Sequence, residues 1–213
     1  MRRAVAGLAI FLVAGTAAAG WSMAHGPQLS RQSPTVTAAP RQPSDRIEIS
    51  PAELQQAYAA GIVDRPVRSI LNVPQQMHYG EFVWDDRNVP AGPVWIRVDL
   101  KDQILSVFRS GDEIGTAVIL YGADGVPTPT GKFTILAKFK DHRSATYGGA
   151  PMPYTLRLTD DGVSIHGSNV RWGFATHGCI GIPKAFAAKL FDAAAAGDPV
   201  TIVPAGPKKV RSA

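Results

Sequence analysis

Short segments in which apolar and polar residues alternate dominate the chain from Val94 onward. A period of two is typical of strands with one buried face, and turn residues separate the segments. A Lys-Asp-Gln turn joins the first two into a predicted hairpin, and KFTILAKF is predicted to be one continuous strand. The segments are VWIRVDL, ILSVFRSG, EIGTAVILYG, KFTILAKF, YTLRLT, GVSIHG and, near the C-terminus, DPVTIV.

Two segments predict helices instead. The tetrapeptide SPAE from Ser50 offers an N-cap, a proline for the first turn and a capping box, and Gly61 ends this helix. The second helix, KAFAAKLFDAAAA, follows Pro183 and is expected to stop at Gly197. Its apolar face consists of Phe186, Leu190 and Ala194.

The whole pattern predicts a mostly β fold with few helices. Prolines and turn residues interrupt the strands, so an all-parallel α/β sheet is not expected. Residues 47–92 give the first helix and an irregular segment, 63–90, in which the sequence assigns no element. We expect this region to pack on a domain formed by residues 93–204, either around the sheet or over a cleft.

The two ends of the chain differ from the middle in composition. Residues 1–24 have a basic start, an apolar run and small residues, as a secretory signal peptide does. An uncleaved anchor is the alternative, because the run is about long enough to span a bilayer. Residues 25–46 are predicted to be a disordered linker rich in Pro, Gln and Ser, and 205–213 a basic tail. Both interpretations place the domain outside the cytoplasm, in the periplasm or cell envelope.

The formal net charge of +5 comes mainly from the two ends. They hold five of the 22 basic residues, which leaves 17 basic against 17 acidic residues elsewhere in the 213-residue chain. A near-neutral domain excludes a nucleic-acid-binding face. Membrane contact is expected only through an uncleaved N-terminal segment, and the protein is expected to be a monomer.

The stretch from Val163 to Pro183 contains two of the five histidines and the only cysteine. His166 ends a predicted strand, and a nine-residue loop separates it from the sequence Thr-His-Gly-Cys that ends at Cys179. A loop of this length can bring the imidazole next to the thiol, which needs such a base to become a nucleophile. A single cysteine in an exported protein also favours reactivity over a disulfide.

Gly178 precedes the cysteine and lets backbone N–H groups approach an incoming carbonyl. Such N–H groups stabilise the oxyanion of a tetrahedral intermediate. We therefore expect an oxyanion hole at this turn.

The pattern H-G-x(8)-T-H-G-C resembles the signature of the L,D-transpeptidases, or YkuD-type domains, which are bacterial enzymes that remodel peptidoglycan. Upstream, PTPTGKF from Pro127 and MPY from Met152 are also similar to this family. The resemblance covers residues 93–204. It implies a β-sandwich-like domain of mixed strands with one prominent C-terminal helix, and no cofactor or metal.

The resemblance also implies residue roles. Cys179 is expected to be the nucleophile, His166 the general base and acid, and the Gly167 carbonyl the group that orients the imidazole. His177 is expected to position the substrate, and Gly178 to supply the oxyanion hole.

One position departs from the family pattern. Most members have Arg or Asn two residues after the cysteine, a residue thought to hold the substrate, whereas this chain has Gly181. Arg171, in the loop before the cysteine, is a candidate replacement, and Thr176 is a second candidate substrate contact.

The implied reaction is acyl transfer on peptidoglycan stem tetrapeptides. The thiolate attacks between diaminopimelate and D-alanine, and an amine of a second stem or a free D-amino acid takes the acyl group. The amine of a second stem gives a 3→3 cross-link. If water attacks instead, the protein is an L,D-carboxypeptidase.

Other classes fit less well. Histidine precedes cysteine, which is the reverse of papain-like proteases. Sortases need an arginine on a following strand, and only Arg211 follows Cys179. A zinc site made of His166, His177 and Cys179 stays open. A non-catalytic wall-binding protein also stays open, and a thiol that reacts well below its usual pKa of about 8.5 would argue against it.

Overall fold

The computed structural model describes residues 46–204, which fold into two mixed β-sheets and two helices. The predicted signal peptide, residues 25–45 of the predicted linker and the basic tail lie outside the described residues. Arg46, predicted as the last residue of the disordered linker, instead begins a strand. Among residues 46–204, no helix is long and apolar enough to cross a membrane.

The elements are, in chain order, β1 (Arg46–Glu48), α1 (Pro51–Ala59), β2 (Ser69–Leu71), β3 (Phe82–Trp84), β4 (Val94–Asp99), β5 (Ile104–Arg109), β6 (Asp112–Val118), β7 (Gly131–Thr134), β8 (Ala137–Arg143), β9 (Pro151–Arg157), β10 (Ser164–Ser168), β11 (Ile180–Pro183), α2 (Lys184–Ala193) and β12 (Pro199–Val203).

The larger sheet has eight strands in the order β1-β2-β6-β5-β4-β12-β7, with β3 paired to β6 off this path. The predicted β4–β5 hairpin is antiparallel, whereas β12 runs parallel to β4. The smaller sheet has the order β11-β10-β9-β8, and its β10–β11 pair is parallel. The prediction of a mostly β fold with mixed strands and a C-terminal helix is therefore confirmed.

One apolar core joins the two sheets and α2. Strands β6 and β11 are buried at every position, whereas β7 and β8 have no buried residue. From α2, the predicted face of Phe186, Leu190 and Ala194 is buried in the same core. Strand residues of the core include Ile96, Leu105, Ile114, Leu156, Ile165, Ile180 and Ile202.

The N-terminal segment is part of the larger sheet. The Ser50 side chain accepts from the Glu53 N–H, and Glu53 binds the Ser50 N–H, so the predicted capping box is present. The segment left unassigned contains β2 and β3, which both pair with β6. Each has only three residues, too few to show a period of two.

Two predicted element limits are wrong. KFTILAKF is divided between β7 and β8, because the chain leaves the larger sheet at Ile135 and joins the smaller one. Helix α2 ends at Ala193, four residues before Gly197. The Lys138 ammonium donates to the carbonyls of Phe191 and Ala194, and a cation on the last carbonyls stabilises a helix end.

Replacing Phe186 tests the packing of α2. Its side chain is fully buried, with its ring edge-to-face 5.6 Å from Phe82 and 5.4 Å from Trp84. Phe186→Ala is expected to lower the free energy of unfolding by about 3–5 kcal/mol in chemical denaturation. Lys189→Ala, at an exposed position of the same helix, is the control and should change it by under about 0.5 kcal/mol. Equal denaturation midpoints for the two variants would contradict the model of the core.

Candidate active site

Two parallel neighbouring strands carry the candidate base and the candidate nucleophile. His166 lies on β10, Cys179 directly precedes β11, and the register pairs Ile165 with Ile180. One residue earlier in the same register, Cys179 lies opposite Ser164. Because Ile165 and Ile180 point into the core, the side chains at 164, 166 and 179 lie on the opposite face. The nine-residue loop thus returns the cysteine to the strand beside the histidine.

The imidazole of His166 is held by its own neighbour. Its Nδ1 lies 3.1 Å from the carbonyl oxygen of Gly167. A carbonyl only accepts, so Nδ1 carries the hydrogen and Nε2 keeps a free lone pair. Burial lowers the pKa of His166, and nearby His142 adds to the lowering, although the Gly167 hydrogen bond opposes it. The ring is therefore a neutral base at pH 7.

The thiol of Cys179 is partly buried, and its Sγ donates to the carbonyl of Gly162 at 3.8 Å. Burial raises the pKa of Cys179, and the carboxylate of Asp161 raises it further, while the N–H of Ser164 acts in the opposite direction. This differs from the lowered thiol pKa that the sequence led us to expect. Both shifts favour the neutral thiol and the neutral imidazole, so we expect deprotonation of Cys179 to accompany attack.

Two threonines fix the turn that carries the cysteine. The Thr176 hydroxyl donates to the Cys179 carbonyl at 2.5 Å, and the Thr128 hydroxyl lies 3.5 Å from the same oxygen. Thr128 in turn accepts from the Gly122 N–H at 2.9 Å. Thr176 was expected to contact substrate, but its hydroxyl hydrogen is donated to the backbone carbonyl of Cys179. Thr128 was not singled out by the sequence, since a threonine between two prolines predicts only a turn.

Gly178 lies in a conformation that requires glycine. Its φ is +102°, which residues with a side chain rarely adopt. It is buried against the Val126–Pro127 turn, where an added Cβ would lie 3.6 Å from the Pro127 carbonyl oxygen. The chain thereby reverses directly before Cys179.

His177 projects outward and is covered by an aromatic ring. Tyr147 stacks on it, with centroids 4.1 Å apart and planes inclined by 24°. Tyr147 belongs to the β8–β9 loop, where Gly148 and Gly149 both have positive φ. The sequence analysis missed Tyr147, because a contact between residues thirty positions apart leaves no local signal.

Arg157 was also missed. The register pairs it with Ser164, so it lies on the face that carries Cys179 and His166. Its Nε is buried and has no hydrogen-bond partner in the described part of the chain. The alternation of YTLRLT was the available signal. Leu156 is buried in the core, so the side chain of its neighbour Arg157 must point to the opposite face of the strand. Arg171, by contrast, is exposed, and its Nε donates to Asn169 Oδ1 at 3.0 Å.

Gly181 pairs with His166 in the register. A Cβ built on Gly181 would lie 3.0 Å from the Cβ of Ser168 and 3.3 Å from its Oγ. Ser168 therefore occupies the space beside this position, and a larger residue at 181 would have to displace it.

Residues 46–204 contain no group of three His, Cys, Asp or Glu side chains placed to hold a metal ion. A zinc site at His166, His177 and Cys179 would need all three to converge, but the His177 ring is stacked on Tyr147. The described side chains give no support to the zinc alternative.

Comparison with known proteins identifies the domain that carries this site. A family model described as the L,D-transpeptidase catalytic domain, YkuD, matches residues 93–202, just over half of the chain. The matched range begins directly before β4 and includes His166 and Cys179. No curated protein matches the chain.

Solved structures similar to this chain are L,D-transpeptidases. One from Mycobacterium smegmatis is 25% identical, covering 52% of this chain and 58% of its own, with a TM-score of 0.48. The Enterococcus faecium C442S mutant is 27% identical, with coverages of 53% and 50% and a TM-score of 0.48. L,D-transpeptidase 1 from Mycobacterium tuberculosis is 30% identical, with 52% and 61% and a TM-score of 0.44. The match thus spans less than two thirds of each structure.

Replacing Asp161 tests the charge balance at the thiol. Asp161→Asn removes the nearby negative charge and is expected to lower the pKa of Cys179, so that alkylation at neutral pH becomes faster. The measurement is the iodoacetamide rate against pH. Asp160→Asn, in the same exposed turn, is the control and should leave the profile in place. A profile that stays fixed in Asp161→Asn would contradict the assigned contribution of this carboxylate.

Proposed function

This chain belongs to the L,D-transpeptidase (YkuD) catalytic-domain family, and from that premise we propose that it is an exported cysteine acyltransferase acting on peptidoglycan stem tetrapeptides. The observation that carries the proposal is the shared face of β10 and β11, where the partly buried thiol of Cys179 accompanies an imidazole whose Nε2 is free to accept a proton. A non-catalytic wall-binding protein, the alternative left open by the sequence, would not need to keep this pair.

The first half of the reaction forms a thioester. As the Cys179 Sγ attacks the carbonyl at the L-centre of diaminopimelate, its proton passes to the His166 Nε2. Backbone N–H groups at the turn from His177 to Cys179, which Gly178 makes possible, hold the oxyanion. The tetrahedral intermediate then breaks its bond to the D-alanine nitrogen, and His166 returns the proton to this leaving amine.

The second half transfers the acyl group. The amine of a second stem attacks the thioester carbonyl, His166 accepts its proton, and the C–S bond breaks to regenerate the thiol. A stem acceptor gives a 3→3 cross-link, and a free D-amino acid gives exchange of the terminal residue. Water as acceptor gives L,D-carboxypeptidase activity with the same Cys–His pair, so the cleft and not the pair decides between them.

The remaining residues orient this chemistry. The Gly167 carbonyl fixes the ring of His166, and His177 is proposed to position the donor once Tyr147 moves off its ring. Thr176 holds the Cys179 carbonyl and so acts on the turn. The protein is proposed to work as a monomer, without cofactor, in the periplasm or cell envelope.

Incubation with disaccharide-tetrapeptide and mass spectrometry tests the activity. The protein lacking residues 1–24 is expected to give a dimer that has lost one D-alanine, and Cys179→Ala is expected to give none. A tripeptide as the sole product would identify a carboxypeptidase instead. Unchanged substrate with a protein whose thiol still alkylates would refute the proposed donor.

A second experiment addresses the carboxylate of the donor, which Gly181 cannot bind. We propose that Arg171 binds it. Arg171→Ala is then expected to raise the KM for the tetrapeptide about tenfold, because a hydrogen bond to a charged group is lost, with unchanged thiol alkylation. Arg157→Ala is the comparison. A KM raised only in Arg157→Ala would assign the contact to β9 and show that the Arg171 proposal is wrong.

A further inference from the structure

A groove of about 610 Å³ is lined by none of the candidate active-site residues. One wall is the segment of residues 73–79, and the other is the turn from β4 to β5. The volume falls within the usual range for small-ligand sites of about 300–1,000 Å³. Its polar lining consists of Gln75, Gln76, His78, Tyr79, Lys101, Asp102 and Gln103.

Tyr79 connects this groove to the catalytic loop. Its hydroxyl donates to the Gln103 Oε1 at 2.7 Å, which fixes the ring in the groove wall. On the active-site side, the ring meets the indole of Trp172 edge-to-face, with centroids 5.7 Å apart and planes at 70°. A Cβ added to Gly80 would lie 3.4 Å from the Val170 carbonyl, so the two segments also approach closely in the backbone. The groove therefore ends at the loop between His166 and Cys179.

Trp172 is exposed to an unusual degree for its size. Its side chain is 81% accessible, although burial of so large an aromatic surface is favourable. Its ring contacts Tyr79, which itself lines the groove. An exposed indole next to a groove-lining residue provides a flat apolar face for a ligand.

The lining of the groove selects a class of ligand. Amide, imidazole, carboxylate and ammonium groups offer both donors and acceptors, as a ligand rich in hydroxyl and amide groups requires. Sugar rings carry such groups on their edges and C–H groups on their faces, which pack on aromatic rings. A phosphate ligand fits poorly, because Asp102 is present and Lys101 is the one lysine or arginine of the lining.

We propose that this groove binds the glycan strand of peptidoglycan, a polymer of N-acetylated amino sugars, and that Trp172 stacks on a sugar ring at its active-site end. The inference rests on the proposed function, which supplies the polymer as substrate. The peptide stems branch from that glycan. A strand anchored in the groove brings a stem into the reach of Cys179 and raises its local concentration there.

Binding can be tested apart from catalysis. The probe is peptide-free glycan of defined length, titrated into the Cys179→Ala protein by calorimetry and by NMR. We expect binding, with amide shifts concentrated at residues 75–79 and 101–103. Trp172→Ala, which removes the indole next to Tyr79, and Asp102→Ala, in the groove lining, are expected to weaken it about tenfold each. Lys140→Ala, at an exposed position on β8, is the control. It should bind the glycan as tightly as the Cys179→Ala protein without this second change.

A chain of unsubstituted glucose of equal length serves as the comparison ligand, and it should bind more weakly because it lacks acetamido groups. The absence of glycan binding, or equal affinity in all the variants, would overturn the inference. If the glycan binds but the unmodified protein transfers no acyl group, the proposed function is refuted and the groove assignment stands.

Kinetics provide the second readout. The ratio of kcat/KM for disaccharide-tetrapeptide to that for the free tetrapeptide is expected to exceed one and to fall in Trp172→Ala and Asp102→Ala. Iodoacetamide rates at Cys179 show whether each variant keeps an intact site. Equal kcat/KM for both substrates in the unmodified enzyme would contradict the groove while leaving the acyl transfer in place.

Discussion

The parallel pairing of β10 with β11 is the constraint on which the site depends. Ile165 and Ile180 lie side by side in the register and are both fully buried, so a slip of either strand by one residue would turn its isoleucine out of the core. The same pairing determines which face His166 and Cys179 occupy. The apolar core therefore sets the positions of two polar groups that never enter it, and α2, which follows β11 directly, secures the pairing from the core side.

Electrostatics at the site favour a resting state without charge. Burial raises the pKa of the thiol and lowers that of the imidazole, and the carboxylate of Asp161 opposes a thiolate. A thiolate–imidazolium ion pair would have to overcome the burial of the thiol, the burial of the imidazole and the negative charge of Asp161. The raised pKa of Cys179 favours the protonated thiol, which is less reactive toward small electrophiles than a thiolate.

The sequence predicted those parts of the molecule that repeat a local pattern. The hairpin of β4 and β5, the capping box at Ser50 and the apolar face of α2 follow from alternation, cap chemistry and helical period. The strands β2 and β3 did not, because three residues are too few to show the alternation, even though Phe82, Val83 and Trp84 all favour strands. The division of KFTILAKF was missed for a related reason, since Ile135 and its neighbours pass from one sheet to the other.

The candidate site shows the same difference between features that a local sequence pattern predicts and contacts that it does not. The Cys–His spacing and the need for glycine at 178 are visible in one stretch of sequence. Contacts made across the fold are not, and these include the stacking of Tyr147 on His177, the place of Arg157 beside Ser164 and the link from Tyr79 to Trp172. Each joins segments whose distance along the chain hides their closeness, so only the sheet order makes them apparent.

Arg46 has a mechanical consequence at the start of the described chain. Its guanidinium donates to the Ser69 hydroxyl and to the backbone carbonyls of Asp85 and Glu113. A pull applied at this end is therefore shared among three segments of the larger sheet. One of them, β6, continues to Leu120, which exchanges two backbone hydrogen bonds with Gly181 of β11. The first residues of the described chain are thus linked through β6 to the strand that follows the nucleophile.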